Sequence, residues 1–226
     1  VKIIKTILKG VVGLMALFFI VGLFLGEPSE QRSASNPAST ARQVASITSE
    51  QQAAQEDARK RREELLLRPD LQTQFISVVN SATATFSAAG RDEFAQGATR
   101  PARRQAICAT ALGRELVVQD WVGQVSTRST NNEGKGVLRI SIGPDVAVKT
   151  WNNALSDIGD RTLIEPGSPA FNVMGTLRNG DWVRFSGRFF PDQTDCVREP
   201  SMTIRGTMTS PEFIFRFDDI RRIELP

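Results

Sequence analysis

The chain has no histidine and no tyrosine, and only two cysteines among its 226 residues. Without histidine there is no His-dependent triad, no imidazole general base and no His-ligated metal. The two cysteines, Cys108 and Cys196, form no CxxC spacing. A structural zinc site would have to be completed by carboxylates, so no metal and no cofactor are expected. Aromatic chemistry rests on 13 Phe and 3 Trp. An excess of positive charge is also missing where it would matter. Residues 1–114 carry 15 Lys/Arg against 10 Asp/Glu, whereas residues 115–226 carry 13 against 15, a net of −2. Affinity for nucleic acid is dominated by phosphate neutralisation and would concentrate basic residues on the folded part. Here the basic excess lies in the other half.

One long apolar run is present. GVVGLMALFFIVGLFLG, residues 10–26, is uncharged, preceded by Lys2, Lys5 and Lys9 and followed by Glu27 and Pro28. Seventeen residues are at the lower edge of what spans about 30 Å of hydrocarbon, and Ile3, Ile4, Ile7 and Leu8 extend the segment while the lysines snorkel. The positive-inside rule then puts the N-terminus in the cytoplasm. A cleaved signal peptide shares this pattern, but cleavage after Gly26 would put Phe24 at the −3 position, where a small residue is wanted. The expectation is a retained anchor contacting the bilayer through residues 3–26, in a bacterial inner membrane, with the remainder periplasmic.

Residues 27–48 are rich in Ser, Ala, Pro and Gln and read as a flexible linker. Residues 49–114 read as a helical segment. Its first helix follows Ser49 as N-cap, with Glu50, Glu56 and Asp57 leading and Arg59 to Arg62 trailing, in the order the helix dipole favours. A second helix follows Asp70, with Leu71, Phe75, Val78, Val79, Ala82 and Phe86 as its apolar stripe. A third runs from Pro101 to Leu112, closed by Gly113.

From residue 115 the pattern becomes short alternating runs broken by Gly, Pro and Asn. Strands are predicted near 116–128, 136–142, 146–151, 181–190, 201–208 and 213–217, with NNEGKG (131–136) as a hairpin loop. About thirty residues without a strand pattern precede the fourth and have room for a short helix. On the Phe213, Phe215, Phe217 strand, core packing is the expectation over an exposed docking strip. The fold class is therefore mainly β with helices (α+β): an anchor (1–26), a linker (27–48), a helical segment (49–114) and a small β-domain (115–226).

The phrase Leu177, Gly180, Asp181, Val183, Phe185, Gly187 resembles the Leu-x-x-Gly-Asp-x-Val-x-Phe-x-Gly pattern that many OB-type strands show after an inserted helix. Asn179 and Gly180 supply the turn, and Gly187 permits the bend a closed barrel needs. Over residues 116–217 the chain resembles the OB-fold as carried by bacterial membrane-anchored envelope proteins. That resemblance implies a five- to six-stranded Greek-key barrel whose second and third strands face a ligand. Those strands offer Arg139, Lys149 and Trp151, with Trp121 in the first strand and Asn152 and Asn153 just beyond the third. These six are the candidate ligand-binding residues.

Asp157 and Asp160 follow them, but the spacing does not make an EF-hand, and Asn and Asp serve turns through their own backbone bonds. No spacing singles out a catalytic carboxylate pair among Glu165, Asp181 and Glu212, and Ser186 lacks both the elbow glycine and a histidine base. The chain reads as non-catalytic. Cys108 and Cys196, even in number and exported, are expected to form a disulfide contributing roughly 4 to 5 kcal/mol in the chain-entropy model. The function expected is a membrane-tethered periplasmic binding or assembly module that engages an envelope protein or a small ligand. The alternative is a single-stranded nucleic-acid-binding OB module of a membrane DNA-transfer system. Base-stacking aromatics interleaved with basic residues, which that alternative needs, are missing from the two strands.

Overall fold

The computed structural model describes residues 37–226, with side chains from residue 51 onward. The expected anchor through residues 3–26 lies outside the described residues, as do residues 27–36 of the expected linker. Among the described residues no helix is long and apolar enough to cross a membrane. The chain divides into two units, Val1–Gln51 and Gln52–Pro226. All packing considered below belongs to the second.

Helix α1 spans Pro37–Leu65. Its start corrects two expectations, since residues 37–48 are helical and not linker, and Ser49 lies inside the helix and does not cap it. Proline suits a first helical position because its missing N–H would be unbonded there, and Ala38, Ala41, Arg42, Gln43 and Ala45 are good helix formers. The serines, threonines and proline interspersed among them masked that propensity. Arg59 links Glu56 and Glu63 along the exposed face at 2.7 Å each. Pro69 ends the run, and α2 (Asp70–Ala88) begins at once with Asp70 in its first turn but making no capping bond. Phe75, Val79, Ala82 and Phe86 are buried as the stripe predicted.

Helix α3 spans Glu93–Ala109. It therefore starts well before Pro101, which it carries internally, because the Asp92 carboxylate accepts from the N–H groups of Phe94 and Ala95 at 3.0 Å and nucleates the first turn earlier. Gly113 does not close it. It sits in α4 (Leu112–Glu115), a single turn leading into the barrel.

The strands are β1 (Val117–Thr130), β2 (Gly136–Gly143), β3 (Val146–Lys149), β4 (Trp182–Phe189), β5 (Pro191–Asp192), β6 (Cys196–Val197) and β7 (Glu212–Arg222). Helix α5 (Pro169–Thr176) occupies the strandless stretch, as its length allowed. Five strands close into a barrel in the order β1-β2-β3-β7-β4, which fits the OB-fold expectation, and β5 and β6 pair as a separate ribbon. The β3–β7 pair is parallel and the other neighbours antiparallel.

The predicted strand over 201–208 is corrected. Residues Ile204–Thr209 form helix α6, because the Thr203 hydroxyl accepts from the Gly206 N–H at 3.1 Å as an N-cap. β3 also stops at Lys149, so Trp151 belongs to the following loop.

Strand alternation fills the barrel. β2 and β4 alternate buried and partly exposed residues, and Phe213, Phe215 and Phe217 of β7 point into the core at 0 %, 0 % and 6 % exposure. Seven aromatic rings meet there: Phe75 from α2 plugs one end against Trp121, Phe189 and Phe213, while Phe185 meets Phe215 and Phe217 edge-on. Edge-to-face rings add to the burial term because their quadrupoles are complementary. Gly187 lies at the β4–β7 register shift, where a Cβ would collide with the Arg216 carbonyl oxygen and the Phe215 ring. That backbone approach is the bend the resemblance implied.

Candidate functional site

Placement of the candidate residues begins in β1. Strict alternation would put Val118, Asp120 and Val122 on one face, but a bulge between Val118 and Trp121 resets the phase, with Asp120 in the left-handed region at φ 55°. Trp121 is thereby turned into the core at 1 % exposure, where Phe185 and Phe189 pack on it. It is removed from the candidate ligand face. Val122 is turned outward, and the buried Gln72 amide of α2 covers it, donating to the Val122 carbonyl at 2.6 Å and accepting from its N–H at 2.9 Å. Sequence reasoning missed Gln72, and a lone polar residue on an apolar stripe was the available signal.

Arg139 and Lys149 do come together, as cross-strand partners on the outer face of β2 and β3. Both spend their charge on Glu212 at the start of β7, at 2.6 and 3.2 Å, and Arg139 also donates to the Ser126 hydroxyl at 2.7 Å. Burial works to raise the Glu212 pKa, but the Arg139 hydrogen bond and the Lys149 charge outweigh it and hold the carboxyl below its usual range. Two cations share one ionised acid, so both are engaged on the strand face and a net charge of about +1 remains there.

Trp151, Asn152 and Asn153 open the loop that runs to α5. Asn153 accepts from the Ser156 N–H at 2.9 Å and donates to Asn152 at 2.8 Å. The Trp151 indole donates to Asp160 at 2.8 Å, and Arg198 reaches the same carboxylate at 2.5 and 2.7 Å. Asp157 accepts from the Thr162 N–H, the Thr162 hydroxyl and the Leu163 N–H at 2.6, 2.7 and 3.2 Å. These bonds make the loop rigid and occupy both acids, and among the described residues no group of three metal-ligating side chains exists.

On this scaffold a cleft of about 560 Å³ opens between the loop and the β1–β2 turn, lined by Lys135, Asp157, Ile158, Arg161, Leu163 and Glu165. Lys135 is held by Glu165 at 2.8 Å, and that hydrogen bond raises its pKa. Leu155 and Ile158 stand 80 % and 75 % exposed on the same loop. Neither aliphatic was singled out from the sequence, because an apolar residue in a loop carries no periodicity.

A second polar constellation lies in the β4–β7 connection. Cys196 of β6 forms a disulfide with Cys108 near the end of α3, Cα to Cα 5.7 Å, as expected. Beside it Arg100 grips Asp195 through two bonds of 2.7 and 2.5 Å, and Arg103 reaches Asp195, Glu199 and the Thr207 carbonyl. Burial dominates at Glu199, overriding the Arg103 charge, and pushes its carboxyl up to about 8. The cluster was invisible in the sequence because its partners are more than ninety residues apart.

The fold and these two constellations define a closed β-barrel with a disulfide-tethered helical pair. The chain matches no known protein-family model, and no curated protein is significantly similar to it.

Proposed function

We propose that this chain is a non-catalytic, membrane-tethered binding or assembly module of the bacterial cell envelope, built on an OB-type barrel that presents the loop 151–165 to an envelope partner. The observation that carries the reading is the contrast between that loop and the strand face. Arg139 and Lys149 are both engaged by Glu212 on the wall of the barrel, whereas a loop held by the Asp157 and Asp160 hydrogen bonds displays Leu155 and Ile158 to solvent. Holding apolar residues rigidly in water has no benefit to folding, but it lowers the entropy lost when a partner covers them. The order β1-β2-β3-β7-β4 with a parallel β3–β7 pair and a helix before β4 supports the OB assignment. The Cys108–Cys196 bond supports an oxidising compartment.

Topology and partner are tested together in cells producing the full chain. Alkaline phosphatase fused at the C-terminus is active if the domain is periplasmic, and activity confined to a cytoplasmic reporter overturns the reading. A photoreactive amino acid at position 158 then crosslinks one envelope protein, in a yield that Leu155→Asp abolishes. Salt-sensitive binding of single-stranded DNA by the full chain would instead select the nucleic-acid alternative.

A further inference from the structure

Helices α2 and α3 lie side by side, and their outer face does not close. Val78, Ser81 and Thr85 on α2 and Ala95, Ala98 and Ala102 on α3 recur every three or four residues, so each helix contributes one row to the shared surface. Nothing bulkier than valine stands in either row, and a groove of about 510 Å³ remains between the helices. Ala98 and Ala102 are exposed along it.

One charged side chain lies on the groove lining, Arg103, and the residue is 1 % exposed. Its terminal nitrogens donate to Thr207, Asp195 and Glu199, while its Nε is buried with no acceptor among the described residues. Together with Arg100 it faces the two carboxyls of Asp195 and Glu199, and burial pushes the Glu199 carboxyl up to about 8. The cluster under the groove therefore carries one positive charge more than its ionised acids neutralise.

An apolar trough of this size with one cationic, incompletely bonded group at its floor is the usual composition of a small-molecule site. It is too small for a helix, whose diameter with side chains is about 10 Å. We propose that the α2–α3 groove binds an anionic amphiphile, a single aliphatic chain ending in a carboxylate, with the chain along Val78, Ala98 and Ala102 and the carboxylate drawn to Arg103. Covering the alanine row removes apolar surface from water, and the carboxylate offsets the surplus charge. This site is separate from the loop 151–165 and stands independently of the partner proposed for that loop.

The test uses the full chain in nanodiscs of zwitterionic lipid, with dodecanoate carrying a diazirine on its chain as photoprobe. Labelled peptides are expected within residues 77–106, and excess dodecanoate should displace the probe at least about tenfold better than dodecanol, a preference of about 1.4 kcal/mol. Ala102→Phe fills the groove from an exposed position and should reduce labelling about tenfold without changing the circular dichroism, and Ala98→Phe should do the same. Absence of label in these helices, label unchanged in both variants, or equal displacement by dodecanol would each overturn the proposal.

Discussion

The barrel interior and the seat of the β4–β7 connection are held by opposite means. Inside the barrel, Trp121 and six phenylalanines pack without an ionisable group among them. Along that connection Val197 joins the barrel core and Met208 packs in a small cluster with Ala82, Phe86 and Ile204, while attachment to the helices rests on one disulfide and an arginine–carboxylate cluster. A barrel core is continuous and excludes water by itself. A short excursion from it buries only a few apolar side chains, so covalent and polar bonds add to what fixes it against its chain entropy.

The comparison breaks most severely at the barrel. Phe189→Ala removes a ring that touches Phe75, Trp121 and Phe215 and should cost about 3 to 5 kcal/mol, read by denaturant unfolding followed through tryptophan fluorescence. Replacing both cysteines with serine should cost about 2 to 4 kcal/mol, and hydrogen exchange should show it first in residues 190–211 and α3, while β1 and β2 keep their protection. Equal loss across the barrel would show that the two regions are one cooperative unit.

Acidity sharpens the contrast. Glu199 has a folded pKa of about 8 against an ordinary 4.5, so between those values the folded state binds more protons than the unfolded one. Its contribution to stability is fully present below about pH 4.5, declines as pH rises to about 8, and is constant beyond, with a slope no steeper than about 1.4 kcal/mol per pH unit. Glu199→Gln should flatten that slope in urea titrations at pH 5 to 8. Glu212 on the barrel wall has the opposite sign, since its lowered pKa gives stability that is present above its unfolded pKa and lost as pH falls through the folded one. Lys149→Ala, which removes one of its two partly exposed partners, should change stability by about 1 kcal/mol or less at neutral pH. Leu155→Ser should change it by less than about 0.5 kcal/mol in thermal unfolding, because the side chain is in water already.

The barrel was largely legible because its strands repeat apolar residues at period two and its turns carry Gly, Asn and Pro. That period was misleading in two places. Met202, Ile204 and Met208 alternate like a strand, yet Thr203 caps a helix there, and a local hydroxyl-to-backbone bond outweighs a short apolar pattern. At Trp121 a single inserted residue reverses which face is buried, and nothing in a lone sequence marks a bulge. Of the candidate site, Asn152 and Asn153 were placed beyond the third strand, in the loop whose later residues line the cleft, because Asn clusters mark turns, whereas Trp151 was read as the end of that strand. Arg139 and Lys149 were each named on neighbouring strands, but their common acid lies more than sixty residues away, beyond what spacing reveals. The Arg103 cluster was hidden for the same reason.

The β3–β7 pair has a consequence for the birth of the protein. Only three residues of each strand meet, Ala147–Lys149 with Glu212–Ile214, yet this short parallel junction is what shuts the ring. Some sixty residues of chain, including α5, β4 and the disulfide ribbon, must emerge between one side of the junction and the other. Until then β3 waits with an open edge, able to pair with any strand nearby. The newly made chain is most exposed to misassembly in that interval, and the last strand to emerge ends it.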